Sequence, residues 1–181
     1  MNLPNIITLL RIAATPFAVW LILEGHLLWA FWVFVIAGVS DALDGFIAKQ
    51  FDMETELGKF LDPIADKALL VSVYVSLGIE GFIPSWLVIM VVFRDVAIVG
   101  GALLLETMTH SLTMRPLMIS KVNTTLQIVL AAVVMGSVGY EIELGGWLDT
   151  VLALTAIATL LSGLSYAVVW ARSWSDVEED E

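Results

Sequence analysis

The chain has 181 residues, 59% of them hydrophobic and 15% charged, with a mean hydropathy of +0.92, whereas soluble domains carry about a quarter charged residues. An integral membrane protein with one transmembrane domain is expected. The absence of cysteine excludes disulfide frameworks and thiolate chemistry, and the net charge of −11 argues against nucleic acid as a partner.

Apolar runs and their breakers predict six helices of about 20 residues. They are Asn5–Leu23, Leu27–Phe51, Gly58–Ile79, Pro84–Glu106, Pro116–Gly139 and Trp147–Arg172. The connections Glu24-Gly25-His26, Glu80-Gly81-Phe82 and Glu141 through Gly146 carry turn residues. Pro84 and Pro116 suit first turns, where a missing N–H costs nothing. Pro16 and Pro63 fall inside helices and should bend them. The first segment lacks a basic n-region and a small-residue cleavage pattern, so it does not read as a signal peptide. The fold expected is all-α: one six-helix transmembrane domain over residues 1–172, then an acidic, disordered tail over residues 173–181.

Seven of the eight basic residues, Arg11, Lys49, Lys59, Lys67, Arg115, Lys121 and Arg172, fall towards one side if the N-terminus is cytoplasmic. The opposite loops carry Glu24, Glu80, Glu141 and Glu143 and no Lys or Arg. The positive-inside rule then puts both termini in the cytoplasm, a parity that six helices satisfy. Trp29, Trp32, Trp86, Trp147, Trp170 and Trp174 near helix ends read as an aromatic belt. Gly100-Gly101 and the pair Gly136 and Gly139 read as sites of close helix packing.

Four carboxylates call for a chemical reason. Asp41 and Asp44, spaced i, i+3, share a helix face with Gly45; Asp62 and Asp66, spaced i, i+4, share a face of the next helix. A short connection makes these helices antiparallel neighbours, which gathers the acids at the cytoplasmic membrane edge. Acids in a membrane are costly, and like charges repel. Salt bridges to Lys49, Lys59 and Lys67 are the structural alternative, but those lysines lie at other angles around the helices. Divalent cations neutralise the set better. All-oxygen clusters take Mg²⁺ or Mn²⁺, with Ca²⁺ also able to occupy them, and four aspartates suffice for two metals that clamp phosphoryl oxygens.

The pattern Asp41-x-x-Asp44-Gly45-x-x-Ala48-Lys49, eight residues, Gly58-x-x-x-Asp62-x-x-x-Asp66 resembles the signature of the CDP-alcohol phosphatidyltransferase family. The departure is Lys49, where the family has Arg; lysine keeps the charge and loses the bidentate fork. The resemblance implies two divalent cations bridged by Asp41 and Asp62, with Asp44 on one and Asp66 on the other. It makes Asp66 the base for the attacking hydroxyl. By the same resemblance Gly45, Lys49, Thr55 and Gly58 meet the CDP part of the lipid donor, CDP-diacylglycerol, with Asn5 to Thr8 closing over it.

The acceptor is read from two later stretches. Phe93-Arg94-Asp95 is either a self-contained ion pair or presents Arg94 to an anionic group. Arg115 and Lys121 are either positive-inside anchors or, with Ser120 and Asn123, part of an acceptor site. The stretch Ser120-Lys121-Val122-Asn123-Thr124 is similar to that of the eukaryotic-type cardiolipin synthases, whereas phosphatidylglycerophosphate synthases carry a second lysine at the position of Asn123. One fewer lysine suits the single charge of phosphatidylglycerol rather than the near-double charge of glycerol 3-phosphate. The resemblance thus implies transfer from CDP-diacylglycerol to phosphatidylglycerol with release of CMP, the alternative being glycerol 3-phosphate as acceptor. A divalent-cation transporter is a remote third reading, since transporter sites lie near the midplane between repeated halves, and no repeat is evident here. The resemblance also implies a homodimer. Without an Arg- and Ser-rich leader before Pro4, the bacterial plasma membrane is expected over the mitochondrial inner membrane.

Overall fold

The computed structural model describes the backbone of residues 3–50, 56–109 and 118–179, and side chains over 9–41, 65–101 and 118–169. Six helices and no strand occur among these residues: α1 (Leu3–Leu23), α2 (Leu27–Gln50), α3 (Glu56–Ile79), α4 (Ser85–Thr109), α5 (Met118–Gly139) and α6 (Gly146–Glu179). α5 and α6 contain spans, Met118–Gly139 and Gly146–Val169, long and apolar enough to cross a membrane.

The chain divides into two compact units. In the first, built from residues 1–85 and 131–145, α1 packs against both α2 and α3. The α3 residues Ala65, Leu69, Val73 and Leu77, at four-residue steps, are all buried, the stripe a helix presents to a core. On α1, Arg11, Ala18 and Ile22 form the matching buried stripe. At the far end α5 comes against α2 through small residues. A Cβ on Gly139 would lie 2.7 Å from the Leu28 Cα and backbone N, and one on Gly136 would lie 3.3 Å from the Phe31 ring. These two glycines do the packing expected of them. Gly100 does not, for an added Cβ there would meet open space.

Three helices of this unit end in the same way. His26 N–H bonds Leu21 O and Gly25 N–H bonds Ile22 O; Phe82 and Gly81 repeat the pattern on Leu77 and Gly78; Ile142 and Glu141 repeat it on Ser137 and Val138. This paired bonding satisfies the last carbonyls of a helix and needs a left-handed residue. Gly25 (φ 75°) and Gly81 (φ 78°) supply it freely, while at the end of α5 the residue is Glu141, at φ 55°.

The second unit comprises residues 86–130 and 146–181. Its interior is unusually polar: Arg94, Asp95, Asn123, Gln127, Thr155, Thr159 and Ser162 are all buried. Trp29, Trp32, Trp86 and Trp147 are exposed, as membrane-interface aromatics would be. Trp170 and Trp174 lie outside the described side chains. Several boundaries depart from expectation: α1 starts at Leu3, α3 at Glu56 and α6 at Gly146, and α4 ends at Thr109. α4 starts after Pro84 rather than on it. α6 runs to Glu179 and so takes in residues 173–179, which the sequence sets apart by their acidity. No Gly or Pro follows Arg172 to stop the helix, and acidic composition alone did not end it.

Candidate functional site

α1 brings an arginine to the aspartates. The Arg11 guanidinium is ion-paired with Asp41 of α2 and with Asp66 of α3, the latter at 2.5 Å, so one cation ties three helices together. Its side chain is 2% exposed, against 36% for Asp41 and 47% for Asp66. The cation therefore reaches the carboxylates from the interior, and they keep an open side. Arg11 Nε and Nη2 are both buried without a hydrogen-bond partner among the described residues, so Nη2 meets Asp41 by charge alone. The Arg11 carbonyl accepts from the Thr15 hydroxyl at 3.1 Å.

This convergence places Asp41 and Asp66, the first and last aspartates of the sequence pattern, around one centre. Asp44, Gly45 and Lys49 lie on α2, Gly58 and Asp62 on α3, and Asn5 and Thr8 on α1; their side chains lie outside the described residues. Thr55 and Arg115 lie outside them altogether. No group of three or more metal-ligating side chains occurs among the described residues, as only two of the four aspartates have described side chains.

Arg11 is the functional candidate that reading by charge missed, because it was counted only as an orientation signal. The available clue was its place on the stripe shared with Ala18 and Ile22. A charge on the buried face of an apolar helix requires an opposite partner, and the Asp pairs were the nearest supply.

In the second unit Arg94 is committed on every side. Nη1 donates to Asp95 Oδ1 at 2.7 Å, Nη2 to Ser120 Oγ at 2.7 Å and also to Ser162 Oγ, and Nε to Ser162 Oγ at 3.2 Å. The guanidinium carbon stands 5.9 Å from the centre of the Tyr166 ring, within cation–π range. The ion pair weighed in the sequence thus forms, and Ser120 joins it. A cavity of about 330 Å³ lies between α4 and α6, lined by Arg94 and by apolar residues such as Phe93, Ile98, Leu160 and Leu164. Lys121 is exposed. Asn123 is 0% exposed, and its Oδ1 accepts from the Thr159 hydroxyl at 2.8 Å. In the described structure Asn123 thus joins α5 to α6. Its position on the inner face of α5, four residues before the equally buried Gln127, gives the reason.

Comparison with known proteins agrees with the aspartate pattern. The CDP-alcohol phosphatidyltransferase family model matches residues 1–171. A chloroplastic CDP-diacylglycerol–glycerol-3-phosphate 3-phosphatidyltransferase of Oryza sativa is 32% identical over 95% of this chain and 58% of its own length. The human cardiolipin synthase (CMP-forming) is 32% identical over 91% of this chain and 60% of its length. The CDP-diacylglycerol–glycerol-3-phosphate 3-phosphatidyltransferase of Bacillus subtilis is 30% identical over 96% of this chain and 95% of its own. The chain spans less than two thirds of the plant and human relatives. With nearly its whole length matched and the spaced aspartates on α2 and α3, the chain belongs to the CDP-alcohol phosphatidyltransferase family, enzymes of phospholipid synthesis.

Proposed function

We propose that this protein is a membrane-embedded phosphatidyltransferase that joins CDP-diacylglycerol to the free glycerol hydroxyl of phosphatidylglycerol, forming cardiolipin and releasing CMP. The observation that carries the transferase reading is the convergence of Asp41 and Asp66 from two helices onto one centre, in a chain with the family's aspartate spacing. The donor set is all carboxylate oxygen and stays partly open, which fits hard divalent cations. Asp41, Asp44, Asp62 and Asp66 would hold two of them, Mg²⁺ or Mn²⁺. Bound there, the cations would stabilise charge on the pyrophosphate oxygens.

The protein's own residues do the rest. Lys49, Gly45, Gly58 and Thr55 hold the CDP moiety, with Asn5 and Thr8 over it. Asp66 takes the proton of the attacking hydroxyl, a role suited to a carboxylate with an exposed side. Six spans with both termini cytoplasmic, a homodimer and the bacterial plasma membrane complete the reading. The basic-residue bias and the exposed apolar side chains of α1, α4 and α6 support the spans.

Phosphatidylglycerophosphate synthesis is the second reading, and the names of the rice and Bacillus relatives favour it. Burial of Asn123 weakens the argument from direct contact with the acceptor, so the choice rests on the Ser120–Thr124 resemblance and on Lys121. The deciding experiment offers purified protein CDP-diacylglycerol with glycerol 3-phosphate and phosphatidylglycerol in competition, the products being identified by mass spectrometry. Cardiolipin is expected, and Lys121→Ala should raise the acceptor KM more than the donor KM. Efficient use of glycerol 3-phosphate with phosphatidylglycerol ignored would make the second reading correct.

A further inference from the structure

We infer that Arg11 is a positioning residue for the metal-binding carboxylates, fixing Asp41 and Asp66 from behind so that their open sides face the cations. This rests on the metal reading proposed above and adds a residue outside the aspartate pattern.

A cation that merely filled the place of absent metals would sit on the accessible side of the carboxylates and be displaced when metal arrives. Arg11 sits on the other side: its guanidinium is almost wholly buried, while both carboxylates keep more than a third of their surface. It also sits on the stripe that packs α1 into the core, where it cannot swing clear without emptying that stripe. Arg11 contacts Oδ1 of each aspartate. A carboxylate has two oxygens, so one contact of this kind fixes its orientation and does not use up its capacity for a metal. Groups that orient ligating carboxylates from behind commonly contribute 10- to 100-fold to metal affinity. The chemistry also selects arginine. One planar fork spans two carboxylates on different helices: Nη1 donates to Asp66, and Nη2 is in ion-pair contact with Asp41 without a hydrogen bond. Lysine offers only a point charge.

The test reads metal binding without lipid substrate. Wild type, Arg11→Gln, Arg11→Lys and Asp41→Asn are titrated in detergent with Mn²⁺, free ion being followed by electron paramagnetic resonance. Arg11→Gln should weaken binding roughly 10- to 100-fold and Arg11→Lys severalfold. The Mn²⁺ concentration giving half-maximal turnover should rise in parallel, with the rate recovering at saturating Mn²⁺. Tighter binding by Arg11→Gln would make Arg11 a competitor, and unchanged binding would leave it a packing role; either overturns the inference. If Arg11→Gln fails to fold, Arg11→Lys decides, and wild-type affinity in that variant overturns it. Failure of the metal reading looks different: wild type would bind no Mn²⁺, or Asp41→Asn would bind it as well as wild type, and the inference would fall with it.

Discussion

Arg94 and Asp95 are adjacent in sequence and joined in space, with Nη1 2.7 Å from Oδ1 and the side chains 5% and 4% exposed. Neighbours on a helix point about 100° apart, so the arginine must fold back along α4 to reach its partner, and Ser120 and Ser162 hold it there. Removing one member leaves a buried charge uncompensated, which costs about 3–5 kcal/mol. Asp95→Ala should therefore unfold well below the wild type in detergent. Replacing both by apolar residues of similar volume, as in Arg94→Met with Asp95→Leu, should restore most of the loss. Thermal unfolding followed by circular dichroism checks this, and equal stability of Asp95→Ala and wild type would contradict the buried pair.

Asp41→Asn and Asp62→Asn should each abolish CMP release and the stabilisation that divalent cations give in the presence of CDP-diacylglycerol. Each removes a ligand shared by both expected metals. Asp41→Asn also deprives Arg11 of an ionised partner, so a fall in metal-free stability is expected for it. Product assays and thermal shifts with and without Mg²⁺ measure both effects, and full activity in either variant would exclude the two-metal assignment.

Asp66→Asn separates binding from chemistry. Donor binding should survive, with metal affinity somewhat reduced, while the rate at saturating metal should fall by about 10²–10⁴, the range general-base catalysis supplies. Ligand-induced stabilisation reports the first and product formation the second. An unchanged rate at saturating metal would remove Asp66 as the base.

Two substitutions at the end of α5 should act in opposite directions. Gly139→Ala gains up to about 1 kcal/mol of helix propensity but drives a Cβ to 2.7 Å from the Leu28 backbone. Backbone cannot yield as a side chain can, and overpacking typically costs 1–3 kcal/mol, so a net loss of stability is expected. Glu141→Gly should gain about 1 kcal/mol by relieving the left-handed conformation that glycine adopts without penalty. Denaturation midpoints of the two variants against wild type provide the measurement.

Helix number was legible because each apolar run ends in a charged or glycine-bearing connection. The ends at Leu23, Ile79 and Gly139 fall where read, since the paired bonding that caps them uses residues visible as turn formers. The meeting of Asp41 and Asp66 was legible from their spacing on neighbouring helices. Arg11 was not, because one arginine near a chain start looks the same whether it anchors orientation or serves a site; only its neighbours in space distinguish the two. Asn123 is ambiguous for a similar reason. Polar residues on an apolar helix mark either a ligand surface or a helix contact, and residue type does not separate them.

The hydroxyl and amide groups shared by α5 and α6 also bear on biosynthesis. Thr159 bonds Asn123 across the two helices at 2.8 Å, and the Thr155 hydroxyl lies 3.5 Å from the Leu126 carbonyl. Within α6 both hydroxyls also meet carbonyls of their own helix, Thr155 with Val151 and Thr159 with Thr155, each at 2.8 Å, whereas Asn123 of α5, facing lipid alone, would present an amide that hydrocarbon cannot solvate. The two helices are expected to enter the bilayer as a hairpin, so α5 translated alone should insert less completely than α5 followed by α6, as glycosylation mapping in microsomes would register. The order of translation would then be part of how this half of the protein acquires its depth in the membrane.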